Sequence, residues 1–185
     1  MGKIDCNENE LIETTTAVHN MFSGRVFDCI IRDVKLPNGE DAKREVIVHT
    51  GGSCILPVDE NLDCYMVKQF RSGAETVLLE VPAGKIEEGE SAYNCAVREI
   101  VEETGFEAGK VEDLGYIYPT PAYCSEKIHL FLGTNLKYVG GNPDSGEFLG
   151  VQKIPLKELV QMCDRGDIND GKTVTCIYKA ARRFL

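Results

Sequence analysis

The sequence lacks the features that would place the chain in a membrane or on a nucleic acid. Its apolar runs, such as Val77–Leu79, extend over only a few residues, too short for a transmembrane helix. The first ten residues, MGKIDCNENE, contain no hydrophobic stretch of the kind that signal peptides carry. Basic residues are scarce, since 20 lysines and arginines stand against 30 aspartates and glutamates. Because binding to nucleic acid requires a basic surface that neutralises phosphates, we expect no nucleic-acid partner. From the short apolar runs and the polar first ten residues, we expect a cytoplasmic protein with no membrane partner.

The cysteines and histidines also lack the spacing of metal or redox motifs. Eight cysteines are present, but no two have the CxxC spacing of a zinc ribbon. They lie within apolar runs, so we expect small buried apolar side chains rather than disulfides, which need an oxidising compartment. The three histidines are too scattered to indicate a ligand cluster.

Residues 1–50 predict a small N-terminal unit that precedes a main domain over residues 51–185. A weak helical pattern covers Glu10–Val18, and strands are expected at Arg25–Leu36 and Arg44–His49. The turn between these strands, Pro37-Asn38-Gly39, favours a β-hairpin because Asn-Gly tolerates positive φ. An isolated hairpin is marginal in water, so its apolar face must pack against the main domain or a second chain.

The pattern of residues 51–185 predicts a mixed β-sheet flanked by helices, an α+β fold. Ser91 is a good N-cap and Gly105 a good residue to end the central helix. We expect Asp59–Asp63 to be a hairpin loop between the first two strands. The strands expected are Cys54–Val58, Cys64–Phe70, Val77–Val81, Val111–Tyr118 and Lys127–Leu136, and the helices are Ser91–Thr104, Leu156–Arg165 and Lys172–Phe184.

The segment 84–106, GKIEEGESAYNCAVREIVEETGF, carries a concentration of glutamates. At about 100° per residue, Glu99, Glu102 and Glu103 share one sector of the predicted helix. Carboxylates this close repel one another unless a cation lies among them, and hard oxygen ligands select Mg²⁺ or Mn²⁺. The alternative is a solvated acidic helix face.

The same segment resembles the signature of Nudix hydrolases, G-x5-E-x7-R-E-U-x-E-E-x-G-U, in which U is a bulky apolar residue. Phe106 is aromatic where an aliphatic residue is commoner, but every constrained position is filled in order. The resemblance implies a Nudix-type α/β/α sandwich with a mixed β-sheet, which hydrolyses a nucleoside diphosphate linked to another moiety. The matching residues are Gly84, Glu90, Arg98, Glu99, Ile100, Glu102, Glu103, Gly105 and Phe106.

The resemblance also implies a role for each residue of the signature. The metal ligands would be Glu99, Glu103 and the backbone carbonyl of Ala83, with Glu102 contributing ligation or support. Gly84 would meet a requirement of backbone shape, and Arg98 would hold the loop by a salt bridge. The residues implied to be structural are Gly84, Glu90, Arg98 and Gly105.

Segments outside the signature resemble the ADP-ribose pyrophosphatase branch of the family. They are YPTPAYCSEKIHLFLG around Pro121, KREVIVHTGG (43–52), VKQFRSG (67–73), LLEVPAGKIEEGE (78–90) and INDGKT (168–173). The resemblance implies cleavage of ADP-ribose to AMP and ribose 5-phosphate. The alternatives are another nucleotide sugar such as GDP-mannose, or a non-catalytic domain that senses ADP-ribose.

This branch resemblance implies substrate contacts by Arg44, Arg71 and Glu126. A guanidinium suits that role because it stays charged and pairs with phosphate in a bidentate fork. Lys172 and Thr173 belong either to a substrate-side motif or simply to the first turn of a helix.

A general base is still required, since water must lose a proton as it attacks phosphorus. In this branch the base lies on a mobile loop, which here would be Gly140–Gly150. Glu147 is the only glutamate of that loop and the first choice, Asp144 is its rival, and Glu102 is the third candidate. The resemblance further implies a homodimer in which Arg44 reaches substrate held by the opposite subunit, whereas the alternative is a monomer with the hairpin packed on its own body.

Overall fold

The computed structural model describes residues 7–141 and 150–185. The chain divides into two compact units. The smaller unit consists of the residues up to Thr50 together with Thr120–Glu126. The larger unit consists of Gly51–Pro119 and the described part of Lys127–Leu185.

The smaller unit is built on an antiparallel sheet of three strands, β1 (Thr14–Ser23), β2 (Asp28–Lys35) and β3 (Asp41–Val48). Strands β2 and β3 form the predicted hairpin, and Gly39 adopts the positive φ of 86° that the turn requires. The segment 120–126 joins β3, because Ile47 donates its N–H to the carbonyl of Tyr123 at 2.8 Å and accepts from Ser125 N–H at 2.9 Å.

The helix expected at Glu10–Val18 is wrong. A single 3-10 turn, Glu8–Leu11, is capped by the side chain of Asn7, and the chain then enters strand β1 at Thr14. Three consecutive threonines and Val18 explain the outcome, because β-branched side chains lose rotamer freedom in a helix and fit a pleated strand. Strand β1 therefore adds a third member to the predicted hairpin.

The larger unit contains two sheets and three α-helices. One sheet has the order β7-β4-β9-β8, in which β4 and β9 run parallel, and the other has the order β10-β5-β6. The strands are β4 (Gly52–Pro57), β5 (Asp63–Arg71), β6 (Thr76–Glu80), β7 (Ala83–Lys85), β8 (Phe106–Ile117), β9 (Ile128–Tyr138) and β10 (Gly150–Pro155). The helices are α1 (Ala92–Thr104), α2 (Leu156–Arg165) and α3 (Gly171–Phe184), which confirms the three helices predicted.

The predicted hairpin loop Asp59–Asp63 forms: Asp59 donates its N–H to the carbonyl of Asp63 at 2.9 Å, and an antiparallel bridge joins Val58 to Cys64. The pairing extends no further, however, and β4 and β5 belong to different sheets. Strand β4 is buried at every residue, which requires a central position covered on both faces.

Alternate residues of β4 define the two sides of the sheet. Cys54 and Leu56 belong to a core cluster with Leu159 of α2 and Ile177 of α3. Ile55 points the other way, into a cluster with Ala96, Ile100 and Phe131 that includes α1. Helices thus cover both faces of a mixed sheet, and the predicted fold class is confirmed.

The described residues contain no membrane-spanning helix and no disulfide. No helix within the described ranges combines the length and apolar character needed to cross a membrane. Every cysteine among the described residues has a free thiol, and four of the seven are buried: Cys54, Cys64, Cys95 and Cys176.

Candidate metal and substrate site

Helix α1 carries the acidic residues of the candidate site at its buried side. The helix begins where Ser91 Oγ accepts the N–H of Asn94 at 3.1 Å, and it ends at Gly105, whose φ is 75°. Ile100 is fully buried against the sheet, and the neighbouring Glu99 and Glu103 are only 7% and 4% exposed. Burial of carboxylates is unfavourable unless charged or hydrogen-bonding groups meet them, so this side of α1 serves more than packing.

Gly84 leaves the space in which the carboxylate of Glu99 lies. A Cβ at position 84 would stand 1.7 Å from Oε1 of Glu99. The sequence predicts that Gly84 meets a requirement of backbone shape, whereas the structure shows a requirement of space, because Gly84 is not among the glycines with positive φ. The glycine and the first glutamate of the helix are therefore a matched pair.

Glu103 is bonded to Ala83, the residue before Gly84 in β7. The N–H of Ala83 donates to Oε2 of Glu103 at 3.1 Å. Strand β7 pairs with β4, where Ala83 faces Cys54 and Gly84 faces Ser53. Pairing with β4 thus fixes the backbone of Ala83 and Gly84, which contacts the side chains of Glu103 and Glu99 on α1. These two glutamates lie one turn apart along the helix.

Arg98 is the cation among the carboxylates of α1. Its Nη1 donates to Glu99 Oε1 at 2.6 Å and to Glu102 Oε2 at 2.9 Å. Its Nε and Nη2 form a fork on Glu90 at 3.0 and 3.1 Å, and Nη2 also reaches the carbonyl of Lys85 at 3.3 Å. The hydrogen bonds from Arg98 hold the pKa of the Glu90 carboxyl below its ordinary value. The guanidinium of Arg98 therefore connects Glu90, in the loop after β7, with Glu99 and Glu102 on α1.

The residues present fit a divalent cation by chemistry and by space. The donor set consists of carboxylate oxygens and backbone carbonyls, which hard cations prefer, and the space left by Gly84 lets the carboxylate of Glu99 lie against the backbone of β7. Within residues 7–141 and 150–185, no three acidic, histidine or cysteine side chains are drawn together as a closed metal site. The carboxylates are instead held by protein donors, with Arg98 on Glu99 and Glu102.

Arg71 lies in the same unit and is held by a carboxylate that the sequence analysis missed. Its Nε and Nη2 donate to the two oxygens of Glu80 at 2.8 and 2.7 Å. Glu80 is 1% exposed and also accepts from Lys172. The signal that could have found it is a single charge at the end of the apolar run Val77–Leu79, immediately before the signature loop.

Arg44 and Glu126 belong to the smaller unit, whereas the signature glutamates belong to the larger one. Arg44 lines a cavity of about 330 Å³ within that unit, together with Arg32, Tyr123 and Ser125. Its guanidinium is paired with Glu13, at 3.0 Å from Nε to Oε2. The carboxylate of Glu126 lies 3.7 Å from Nδ1 of His49 and is 30% exposed.

The predicted general base and its rival, Glu147 and Asp144, lie outside the described residues. Glu102, the third candidate, is on α1 with its side chain 29% exposed and bonded to Arg98.

Comparison with known proteins agrees with this geometry. The profile of the NUDIX domain family matches residues 48–175. The ADP-ribose pyrophosphatase of Bacillus subtilis (strain 168) is 37% identical over 169 residues, which cover 90% of this chain and 91% of that protein. The methanol dehydrogenase activator of Bacillus methanolicus is 35% identical over 167 residues, covering 89% and 90% of the two chains.

A solved structure of an ADP compounds hydrolase superposes with a TM-score of 0.81 at 24% identity, and the match covers 92% of this chain and 93% of that one. At that identity the likeness bears on the fold alone. The signature glutamates, the fold around them and the family match over residues 48–175 lead to one conclusion. The chain belongs to the NUDIX domain family.

Proposed function

We propose that the protein is a metal-dependent pyrophosphohydrolase that cleaves ADP-ribose to AMP and ribose 5-phosphate. The observation that carries the proposal is the buried pair of carboxylates, Glu99 and Glu103, which lie against Ala83 and Gly84 of β7. Two acidic side chains in that position are unfavourable for packing alone, and they suit a cation that neutralises a diphosphate. The similarity to an ADP-ribose pyrophosphatase over 90% of the chain supports the choice of substrate.

The proposed cofactor is Mg²⁺ or Mn²⁺, held by Glu99, Glu103 and the carbonyl of Ala83, with Glu102 in ligation or support. When bound, the cation supplies positive charge to the diphosphate and lowers the pKa of a coordinated water. Arg71 is proposed to bind the diphosphate with its guanidinium, a group that pairs well with phosphate oxygens.

The proposed general base is Glu147, which takes the proton of the attacking water. Asp144 and Glu102 are the alternatives, because each has a carboxylate, the type of group that can accept a proton from water. Loss of that proton makes the water oxygen a stronger nucleophile, which attacks phosphorus as the P–O bond to the leaving phosphate breaks. Arg71 would hold the diphosphate together with the cation that the signature glutamates would bind.

The test is a substrate panel with the purified protein. ADP-ribose, GDP-mannose and a dinucleoside polyphosphate are incubated with Mg²⁺ or Mn²⁺, and the released monophosphate is identified by chromatography. We expect AMP from ADP-ribose, loss of turnover in EDTA and no turnover by Glu103→Gln, because the amide is isosteric but uncharged. Full activity in EDTA would contradict the metal, GMP as the main product would make GDP-mannose the substrate, and tight ADP-ribose binding without any product would indicate a sensor.

A second candidate function is activation of methanol dehydrogenase, which the 35% identity to the Bacillus methanolicus activator favours. Its test adds the purified chain, or Glu103→Gln, to a methanol dehydrogenase assay. A rise in rate with the wild-type chain, and none with the variant, would support it.

We also propose that two chains form a homodimer through the smaller unit. Every residue of β1 is exposed, and apolar side chains on and after this strand are 41–61% exposed: Val18, Met21, Phe22, Val26 and Phe27. A sheet of three strands that leaves so many apolar groups in water favours a partner that covers them. A second copy of the chain would supply the same surface by two-fold symmetry.

The dimer proposal includes a shared active site, with Arg44 contacting substrate held by the opposite subunit. Sedimentation at micromolar concentration tests the assembly, and a fully active monomer would end the proposal. A mixing experiment tests the sharing. Glu103→Gln and Arg44→Ala chains are each expected to be inactive alone. Heterodimers that share sites carry one intact site, so activity should return after exchange.

A further inference from the structure

Glu80 is a buried carboxylate between two cations in the larger unit. Its side chain is 1% exposed at the end of β6, and both of its oxygens accept hydrogen bonds from the Nε and Nη2 edge of Arg71, at 2.8 and 2.7 Å. Lys172, in the first turn of α3, donates to Oε2 of Glu80 from the interior side, with its own side chain 10% exposed. Lys172 also contacts Asp170 Oδ2 at 3.0 Å. Positive and negative groups alternate along the chain of contacts, so the formal charges cancel.

The first turn of α3 also forms a hydrogen bond with the backbone of Val81, which precedes the signature segment. Thr173 Oγ1 accepts the N–H of Val81 at 3.0 Å and donates to Asp170 Oδ2 at 2.6 Å. Two residues after Val81, the N–H of Ala83 bonds Glu103. The start of α3 is therefore joined to β6 by the Lys172–Glu80 ion pair, and the side chain of Thr173 accepts a hydrogen bond from the backbone just before the signature segment. Lys172 and Thr173 thus lie in the first turn of α3, where their side chains contact Glu80 and the backbone N–H of Val81.

Arg71 is the one outward-facing member of this chain of contacts. Its side chain is 38% exposed, whereas those of Glu80 and Lys172 are 1% and 10% exposed. Glu80 occupies the Nε and Nη2 edge, and Nη1 takes no part in that pair. An arginine side chain carries about 2 kcal/mol of rotamer entropy, and a guanidinium fixed on one edge has lost part of it before any ligand arrives. The hydrogen bond and charge of Glu80 raise the pKa of Arg71, and the charge of Glu103 adds a smaller effect in the same direction.

We propose that Glu80 and Lys172 are positioning residues that hold the Arg71 guanidinium in the orientation in which it binds the diphosphate of the substrate. The inference rests on the proposed function, in which Arg71 is a substrate contact. Lys172 is needed because Glu80 paired with Arg71 alone could follow that side chain toward solvent. An anchor on the inner side, fixed at the start of a helix, keeps the carboxylate in place.

The alternative is a buried ion network that only stabilises the fold. Removal of one partner from a buried pair is strongly destabilising in either case, so stability alone does not separate the two roles. The test therefore uses Glu80→Gln together with the charge-balanced double variant Glu80→Gln/Lys172→Met, which leaves no uncompensated charge inside. Folding of each variant is checked by urea unfolding before its kinetics are measured.

We expect both folded variants to raise KM for ADP-ribose by about tenfold or more, with kcat changed far less, because the lost interaction is made equally in the ground and transition states. In an Arg71→Ala background, Glu80→Gln should raise KM no further, since its effect passes through the guanidinium. Glu112→Gln is the matched control, because it removes a carboxylate from another arginine, Arg183, at a surface pair of 2.7 Å. Its KM should equal that of the wild type.

A second readout does not depend on turnover. The affinity for inorganic pyrophosphate, measured by calorimetry without added metal, should fall to the same level in Glu80→Gln, the double variant and Arg71→Ala. If the wild type cleaves no ADP-ribose but binds pyrophosphate in this pattern, the proposed substrate fails and the positioning role stands. The positioning role would be overturned if folded Glu80→Gln kept the wild-type KM and pyrophosphate affinity. It would also be overturned if Glu80→Gln raised KM by the same factor with and without Arg71, or if the wild type bound neither ADP-ribose nor pyrophosphate.

Discussion

Replacement of Gly84 by alanine tests whether the signature glycine exists to make room for Glu99. The new Cβ would stand 1.7 Å from Oε1 of Glu99, whereas ordinary contact begins at 3.4 Å, so the carboxylate must move by about 1.7 Å or the loop must shift. The backbone itself accepts alanine, because φ at Gly84 lies outside the left-handed region. Any effect of the substitution therefore comes from this one collision.

The size of the effect follows from that displacement. A misplacement of about 1 Å at a reacting centre can cost about 10²-fold in rate, so we expect kcat for Gly84→Ala to fall at least that far, which corresponds to about 2.7 kcal/mol in the activation free energy. The free energy of unfolding should fall by about 1–3 kcal/mol, the usual cost of inserting a methyl group into a packed position.

The assay combines kcat at saturating ADP-ribose and Mg²⁺ with urea unfolding and a Mn²⁺ titration, which should show weaker metal binding. Gly73→Ala is the control, since a Cβ there meets nothing within 4 Å and its φ is also unrestricted. In a Glu99→Ala background the collision partner is gone, and Gly84→Ala should cost no further stability. The steric argument is refuted if Gly84→Ala keeps wild-type kcat, or if it destabilises the two backgrounds equally.

Three further predictions concern the charged groups. Burial acts to raise the pKa of Glu80, but the hydrogen bonds and charges of Arg71 and Lys172 together outweigh it and lower the pKa from its ordinary 4.5. The stability that Glu80 adds is therefore complete above pH 4.5 and is lost as pH falls through the lowered value. The difference in unfolding free energy between wild type and Glu80→Gln should therefore shrink below pH 4.5, and a difference that stays constant in acid would contradict this. Glu147→Gln should lower kcat by about 10²–10⁴ with unchanged Mn²⁺ affinity, and an unchanged kcat would assign the base to another acid. Arg98→Lys loses the fork on Glu90 and should reduce the unfolding free energy by about 1.5–3 kcal/mol in urea, whereas a wild-type value would show that a point charge suffices.

The central helix could be predicted from sequence because its limits are set locally. Ser91 supplies a side-chain cap at one end and Gly105 the left-handed residue at the other, and both act within a few residues of themselves. The spacing of Glu99 and Glu103 along that helix follows from its pitch alone.

What could not be predicted depends on partners far along the chain. The sequence of β1 favours a helix only weakly, and its pairing with β2 decides its conformation. Strands β4 and β5 enter different sheets because β4 pairs with β9, more than seventy residues away. The contact of Glu80 with Lys172 spans 92 positions, and no periodicity within either segment indicates it.

The division of the smaller unit between two stretches of sequence constrains how the protein can evolve. Thr120–Glu126 belongs with the first fifty residues, and Ile47 exchanges backbone hydrogen bonds with Tyr123 and Ser125. A recombination event that exchanged only the N-terminal stretch between family members would bring a foreign β3 against the resident segment. A working chimera must therefore transplant both stretches, although Gly51–Pro119 of the larger unit lies between them in the sequence.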